Sequence, residues 1–265
     1  MYNGYWGLKE SPFENVPDPR FMYHFPQHDE ALMRMMFAVK ARKGAAMLTG
    51  EVGCGKTMLS RAFIQQLAGG PYEIALIANP SFPPIDFLRE ILYQLGIKKT
   101  SESKAELSHF LNETILDNMK KGKDTIIIID EAQVINNADT YEELRLLLNF
   151  QLNERFLLTL ILIGQPELRK HITAIPQFEQ RVAIKYHLGT LNLDETAKYI
   201  MFRLKTAGMQ KNVFTKEAII KVHEYTQGVP RRINNICDLA LLVGFSSKTT
   251  VIDSKLVLKL IEDRG

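Results

Sequence analysis

The sequence predicts an α/β protein: a parallel sheet flanked by helices on both faces, followed by a small all-helical domain. Three observations carry that expectation. Short apolar runs alternate with segments of 3.6-residue periodicity, the pattern of buried parallel strands joined by helical crossovers. One run, at 45–49, leads directly into Gly50-x-x-x-x-Gly55-Lys56-Thr57, a phosphate-binding loop set between strand and helix. From Leu191 onward the strand pattern ceases and only helical periodicity remains.

The elements follow in order. Residues 1–26, with Trp6, Pro12, Phe13, Pro17, Pro19, Phe21, Tyr23 and Phe25, carry too much proline for a helix and too many aromatics for a linker. They read as a strap lying across the domain, because the rings need a surface to bury against. A helix is expected over 28–42, on the stripe Ala31, Leu32, Met35, Met36 and Val39, with the Met33/Met35/Met36 cluster facing the core. The strand at 45–49 and the loop feed a helix over 58–67, which Gly69-Gly70-Pro71 stops. Strands are expected at 74–78, 125–130, 157–164 and 183–188, and helices at 84–95, 104–121 and 141–149. Beyond the boundary at 189–191, helices are expected at 194–206, 215–226, 231–246 and 253–262, with Asp194 and Thr215 as N-caps. The predicted organisation is a strap (1–26), a nucleotide-binding α/β domain (27–190) and a helical lid (191–265).

Composition narrows the class. The chain has 265 residues, ample for a proper core, and its two cysteines cannot build a disulfide framework, so a reducing compartment is expected. No apolar run approaches the ~20 residues of a membrane span, and no signal peptide opens the sequence. The net charge of +3 is uneven: residues 1–190 sum to −1 and residues 191–265 to +4. A basic C-terminal quarter suits either an anionic partner such as DNA or an ordinary solvated helix face.

The chemistry lies in two motifs. In the loop, Gly50, Glu51, Val52, Gly53, Cys54 and Gly55 bring backbone N–H groups around phosphates, Lys56 adds a point charge, Thr57 offers a hydroxyl to Mg²⁺, and Met58 enters the helix. The positions between the glycines tolerate variation, so Cys54 carries no redox role. At 126–131, four isoleucines bury a strand that ends on two carboxylates. Asp130 suits the Mg²⁺ shell and Glu131 the general base for an attacking water. Asn79, expected at the end of the neighbouring strand, either hydrogen-bonds Glu131 or makes the turn before Pro80. Gln165 either orients the lytic water or makes the turn before Pro166. Arg181 is either a surface arginine or a finger reaching a neighbouring subunit's γ-phosphate. Arg231 opens a lid helix from which it can swing onto the phosphates, while Arg232 faces solvent. The six histidines form no metal-ligand pattern.

In this order the motifs resemble those of the AAA+ ATPases, and more narrowly the ExeA-like general secretion pathway protein A ATPases. The narrower resemblance rests on Gly7-Leu8, Pro12-Phe13 and Pro17-Asp-Pro-Arg-Phe21, on Asp130-Glu-Ala-Gln133, on Ile163-Gly-Gln-Pro-Glu-Leu168, on Glu179-Gln-Arg181 and on Gly228-Val-Pro-Arg-Arg-Ile-Asn234. It implies Mg²⁺-dependent ATP hydrolysis, with Gln165 as first sensor in place of the commoner Asn or Thr, Arg181 as trans finger and Arg231 as second sensor. It also implies a homo-oligomer, ring or filament, acting on a protein partner of the secretion or envelope machinery. The expected location is cytoplasmic, held to the inner membrane through that partner. Relatives of this type often continue into a transmembrane helix and a periplasmic peptidoglycan-binding region, and no such segment lies within these 265 residues. Two other classes share the loop: a DNA-binding regulator like the AAA+ ATPases that select transposition targets, and a small-molecule kinase, against which Glu131 and the lid weigh.

Overall fold

The computed structural model describes residues 2–152 and 155–263. In chain order the elements are α1 (Asn3–Trp6), a 3₁₀ turn (Pro19–Phe21), α2 (Pro26–Lys40), β1 (Ala45–Gly50), α3 (Lys56–Leu67), β2 (Tyr72–Ile77), α4 (Pro84–Gln94), α5 (Lys104–Lys120) and β3 (Asp124–Ile129). A 3₁₀ turn (Ala132–Val134), α6 (Ala138–Leu147), the short strands β4 (Gln151–Leu152) and β5 (Arg155–Phe156), β6 (Leu158–Gly164), α7 (Glu167–Thr173), α8 (Pro176–Glu179) and β7 (Val182–Leu188) follow. Helices α9 (Leu193–Thr206), α10 (Lys216–Thr226), α11 (Pro230–Ser246) and α12 (Ser254–Glu262) complete the order.

The chain divides into two compact units. The first comprises Gln27–Gly50 and Leu59–Leu188. Its sheet has the order β2-β3-β6-β1-β7, with every pairing parallel. The three inner strands β1, β3 and β6 are buried almost throughout, which is why they read as unbroken apolar runs rather than alternating ones. Parallel strands end on a common edge, so Gly50, the last residue of β1, and Asp130 and Gln165, which follow β3 and β6, all lie there. Helices α4 to α8 pack their apolar stripes on this sheet through Phe87, Leu111, Leu144, Ile172 and Phe178. On α2, Met35 is buried as expected, but Met33 is 63% exposed. Spacing decides this: Met33 lies two positions from Met35, about 200° round the helix.

The second unit comprises Met1–Pro26, Glu51–Met58 and Gly189–Gly265. The strap's rings supply its core: Trp6, Phe13, Phe21 and Phe25 lie among Tyr199, Ile200, Val222, Ile236 and Leu241. Arg203, itself 5% exposed, fastens the segment. Its guanidinium donates to the carbonyls of Pro12 (2.5 Å) and Glu14 (2.8 Å) and to the Tyr199 hydroxyl (2.9 Å), and sits 4.9 Å from the Phe21 ring centroid. The caps follow local sequence. Thr215 caps α10 as expected, whereas α9 starts at Asn192 rather than Asp194, because Asn192 and Glu195 form a reciprocal capping box.

Candidate functional site

The loop that leaves β1 and the first turn of α3 form the phosphate-binding half. Gly53 and Gly55 have φ of +86° and +96°, a left-handed conformation that turns neighbouring N–H groups toward one side of the loop. At Gly53 a side chain is excluded twice over. A Cβ there would lie 2.7 Å from the Arg231 Cβ and 3.2 Å from the Val229 Cγ1. The Arg231 N–H, moreover, donates to the Gly53 carbonyl at 3.2 Å. The start of α11 therefore rests on the loop through backbone, while Arg231 is itself exposed. Lys56 is 5% exposed, and its Nζ donates to the Glu51 carbonyl at 3.0 Å. Thr57 stands exposed in the first turn of α3, Glu51 and Val52 are exposed, and Met58 is half-buried. Burial pushes the Cys54 thiol up despite the opposing pull of Lys56, so it is a packed neutral group.

The carboxylate pair belongs to the other unit. Asp130 is buried; its N–H extends the β2–β3 ladder to the Ile77 carbonyl (2.9 Å), and its Oδ1 accepts the Glu131 N–H at 2.9 Å. Glu131 has φ +51°, a left-handed conformation that costs a non-glycine residue roughly 1–2 kcal/mol. Arg42, Gln227 and Lys248 share the conformation at turns and helix ends, and Glu131 differs from them in directly following a core strand and its carboxylate. The half-buried Glu131 carboxylate takes both its donors on Oε2: Gln133 Nε2 at 2.6 Å and Gln165 Nε2 at 3.4 Å. Gln133 Oε1 in turn accepts the Gln165 backbone N–H at 2.9 Å.

The fold thus brings Gln165 to Glu131 and Arg231 to Gly53. It does not bring Asn79 to Glu131: β2 ends at Ile77, Asn79 is exposed in the loop beyond it, and the carboxylate is held by the two glutamines instead. Gln133 escaped the sequence reading, although a lone amide between Ala132 and Val134 in a short turn was a usable signal. Arg181 precedes β7, beside the Ala45 end of β1, so the length of β1, roughly 20 Å, separates it from Gly50. Its guanidinium donates to the Leu148 carbonyl at 2.7 Å.

Each set suits a nucleotide by its own chemistry. In one unit a buried lysine and left-handed loop amides suit phosphate oxygens, and the Thr57 hydroxyl is a hard oxygen donor of the kind Mg²⁺ takes; in the other the Asp130 carboxylate is such a donor too.

Comparison with known proteins gives the family. Residues 39–172 match the AAA domain family. The chain is similar to General secretion pathway protein A of Aeromonas hydrophila, at 38% identity over 93% of this chain and 45% of that protein. It spans less than half the length of that curated relative. Among solved structures it resembles the Aeropyrum pernix ORC2 protein in its ADPNP-ADP complexes (TM-score 0.71, 18% identity, 96% of this chain and 71% of that one). It also resembles the Thermotoga maritima RuvB Holliday junction branch migration motor (TM-score 0.59, 18% identity, 89% and 67%). At such identities these two likenesses concern the fold alone.

Proposed function

The chain belongs to the AAA domain family and is an ATPase, and from that premise we propose that it spends Mg²⁺-dependent ATP hydrolysis on changing the shape of a homo-oligomer that acts on a protein partner of the secretion or cell-envelope machinery. The similarity to General secretion pathway protein A along nearly the whole chain carries the partner class. On this reading residues 27–190 are the catalytic domain and residues 191–265 its lid. No described helix is long and apolar enough to cross a membrane, and we place the chain on the cytoplasmic side, held to the inner membrane by its partner.

The loop amides and Lys56 hold the β- and γ-phosphates. Mg²⁺, held by Thr57 and Asp130, supplies charge neutralisation of the phosphate oxygens when bound. Glu131 takes a proton from water as the water oxygen bonds to the γ-phosphorus; the bridging P–O bond breaks and ADP leaves. Arg181 lies the length of a strand from its own Gly50, and this supports a role on a neighbour's γ-phosphate. Arg231, resting on Gly53, reports nucleotide state to the lid.

The test has five arms. Lys56→Ala should abolish nucleotide binding. Glu131→Gln should retain binding and lose roughly 10²–10⁴ in kcat. Specific ATPase activity should rise with protein concentration in the wild type and cease to do so in Arg181→Ala; equal, concentration-independent activity in both would remove the oligomer from the reading. Glu131→Gln loaded with ATP should capture the partner. Salt-sensitive, ATP-dependent binding to duplex DNA, with no protein captured, would replace the secretion reading with that of a DNA-binding regulator.

A further inference from the structure

We propose that Gln133 is the positioning residue for the catalytic carboxylate: it clamps Glu131 by one oxygen and so aims the other at the attacking water. This rests on the reading of Glu131 as general base. Gln133 uses both ends of its amide. Nε2 donates to Glu131 Oε2 at 2.6 Å, and Oε1 accepts the Gln165 N–H at 2.9 Å. Turning the amide over would set its oxygen against the carboxylate and its NH₂ against the N–H, so only one orientation satisfies both partners. The backbone amide of Gln165, fixed at the end of β6, thereby sets where the Glu131 carboxylate lies.

Two further observations point the same way. Among the described residues, Glu131 receives hydrogen bonds only on Oε2, which leaves Oε1 to accept a proton. Its backbone sits in the left-handed region at φ +51°, which a glutamate occupies at a cost of roughly 1–2 kcal/mol. Space for the clamp is made by Gly164. A Cβ there would lie 2.7 Å from Gln133 Oε1 and 3.3 Å from the Gln133 backbone nitrogen. Gly164 has no left-handed φ, so it is glycine for the close approach of the amide rather than for its own conformation. Gln165 Nε2, at 3.4 Å from the same carboxylate oxygen, is the weaker arm.

The experiment uses Gln133→Met, which keeps the length and removes both hydrogen bonds, alongside Glu131→Gln and the double variant. The readouts are kcat, KM for ATP, and nucleotide affinity without metal. A bond to a charged group is worth roughly ten- to a hundredfold. Gln133→Met should therefore lower kcat by about that factor with KM and metal-free affinity unchanged, and should add nothing on top of Glu131→Gln, because it acts through that carboxylate. Gly164→Ala should reproduce the kcat loss by pushing the amide aside. A readout apart from turnover is the Gln133 side-chain amide resonance in the nucleotide-free protein, assigned by its loss in Gln133→Met, which should shift in Glu131→Gln. Wild-type kcat in Gln133→Met, or a further equal loss in the double variant, overturns the proposal. Wild-type kcat in Glu131→Gln instead overturns the base assignment beneath it.

Discussion

Replacing Gly53 by alanine tests whether the phosphate loop and the start of α11 are mechanically one piece. Holding a non-glycine residue in the left-handed region costs roughly 1–2 kcal/mol, and φ at Gly53 is +86°. The new Cβ would stand 2.7 Å from the Arg231 Cβ, about 1 Å inside the normal carbon–carbon separation of roughly 3.5–4.0 Å. Relieving that overlap means moving α11 off the loop and losing the Arg231 N–H to Gly53 carbonyl bond, worth another ~0.5–1.5 kcal/mol. The sum is about 1.5–3.5 kcal/mol. Where it falls on the nucleotide-bound state it weakens affinity by roughly ten- to several hundredfold; where free and bound states share it, it appears in the unfolding free energy. Calorimetric titration with ADP and urea unfolding of the same sample should together recover the whole penalty. Arg231→Gly in the Gly53→Ala background removes the steric part and leaves the conformational part. The expected coupling between the two substitutions is therefore favourable and at least ~1 kcal/mol. A Gly53→Ala protein with wild-type affinity and wild-type stability, or strict additivity with Arg231→Gly, would refute the argument.

Two further outcomes follow from the helical unit and the buried titratable groups. Arg203→Met should destabilise the protein by at least ~2 kcal/mol, since it strands the Pro12 and Glu14 carbonyls, while the Tyr199 hydroxyl keeps its bond to Asn234; urea unfolding measures the loss, and accelerated proteolysis within residues 1–26 should accompany it. The Cys54 and Cys237 thiols and the Tyr141 and Tyr199 phenols are pushed up in the folded chain, by burial first in every case. The unfolded chain then loses these protons earlier, so their contribution is intact below the ordinary thiol value of about 8.5 and drains away as pH rises through and beyond about 10. Urea midpoints should fall between pH 7.5 and 10.5, and a flat or rising midpoint would contradict the assignment.

The sheet was legible because β1, β3 and β6 are buried on both faces, which leaves an apolar run with one interpretation. The loop was legible because its chemistry demands glycines and a lysine at fixed spacing. What sequence reading could not supply depends on tertiary choice. Asn79 and Gln133 both carry amides and both follow a strand end, Asn79 the more closely; only the paths of the chain after Ile77 and after Ile129 decide which amide meets Glu131. The short helix Asn3–Trp6 was invisible for another reason: four residues cannot sustain a helix by propensity, and Trp6 is held by burial and by its Nε1 bond to the Leu241 carbonyl at 2.9 Å. Likewise Asn192 outcompeted Asp194 as a cap because Glu195 completes the box only with Asn192.

The sharing of one core by residues 1–26 and α9 to α12 also bears on how the chain is made. Arg203 grips the Pro12 carbonyl from 191 residues downstream. At a synthesis rate of roughly 5–20 residues per second, the strap waits about 10–40 s on the ribosome before its clamp exists. During that interval Trp6, Phe13, Phe21 and Phe25 have emerged with no helices to receive them. The α/β unit can condense from nearly contiguous sequence, while the helical unit closes only once residues 189–265 have been made and can meet residues 1–26. A cell making this protein quickly must shelter those four rings, and slowing translation over residues 189–265 should cost more folded yield than slowing it anywhere earlier.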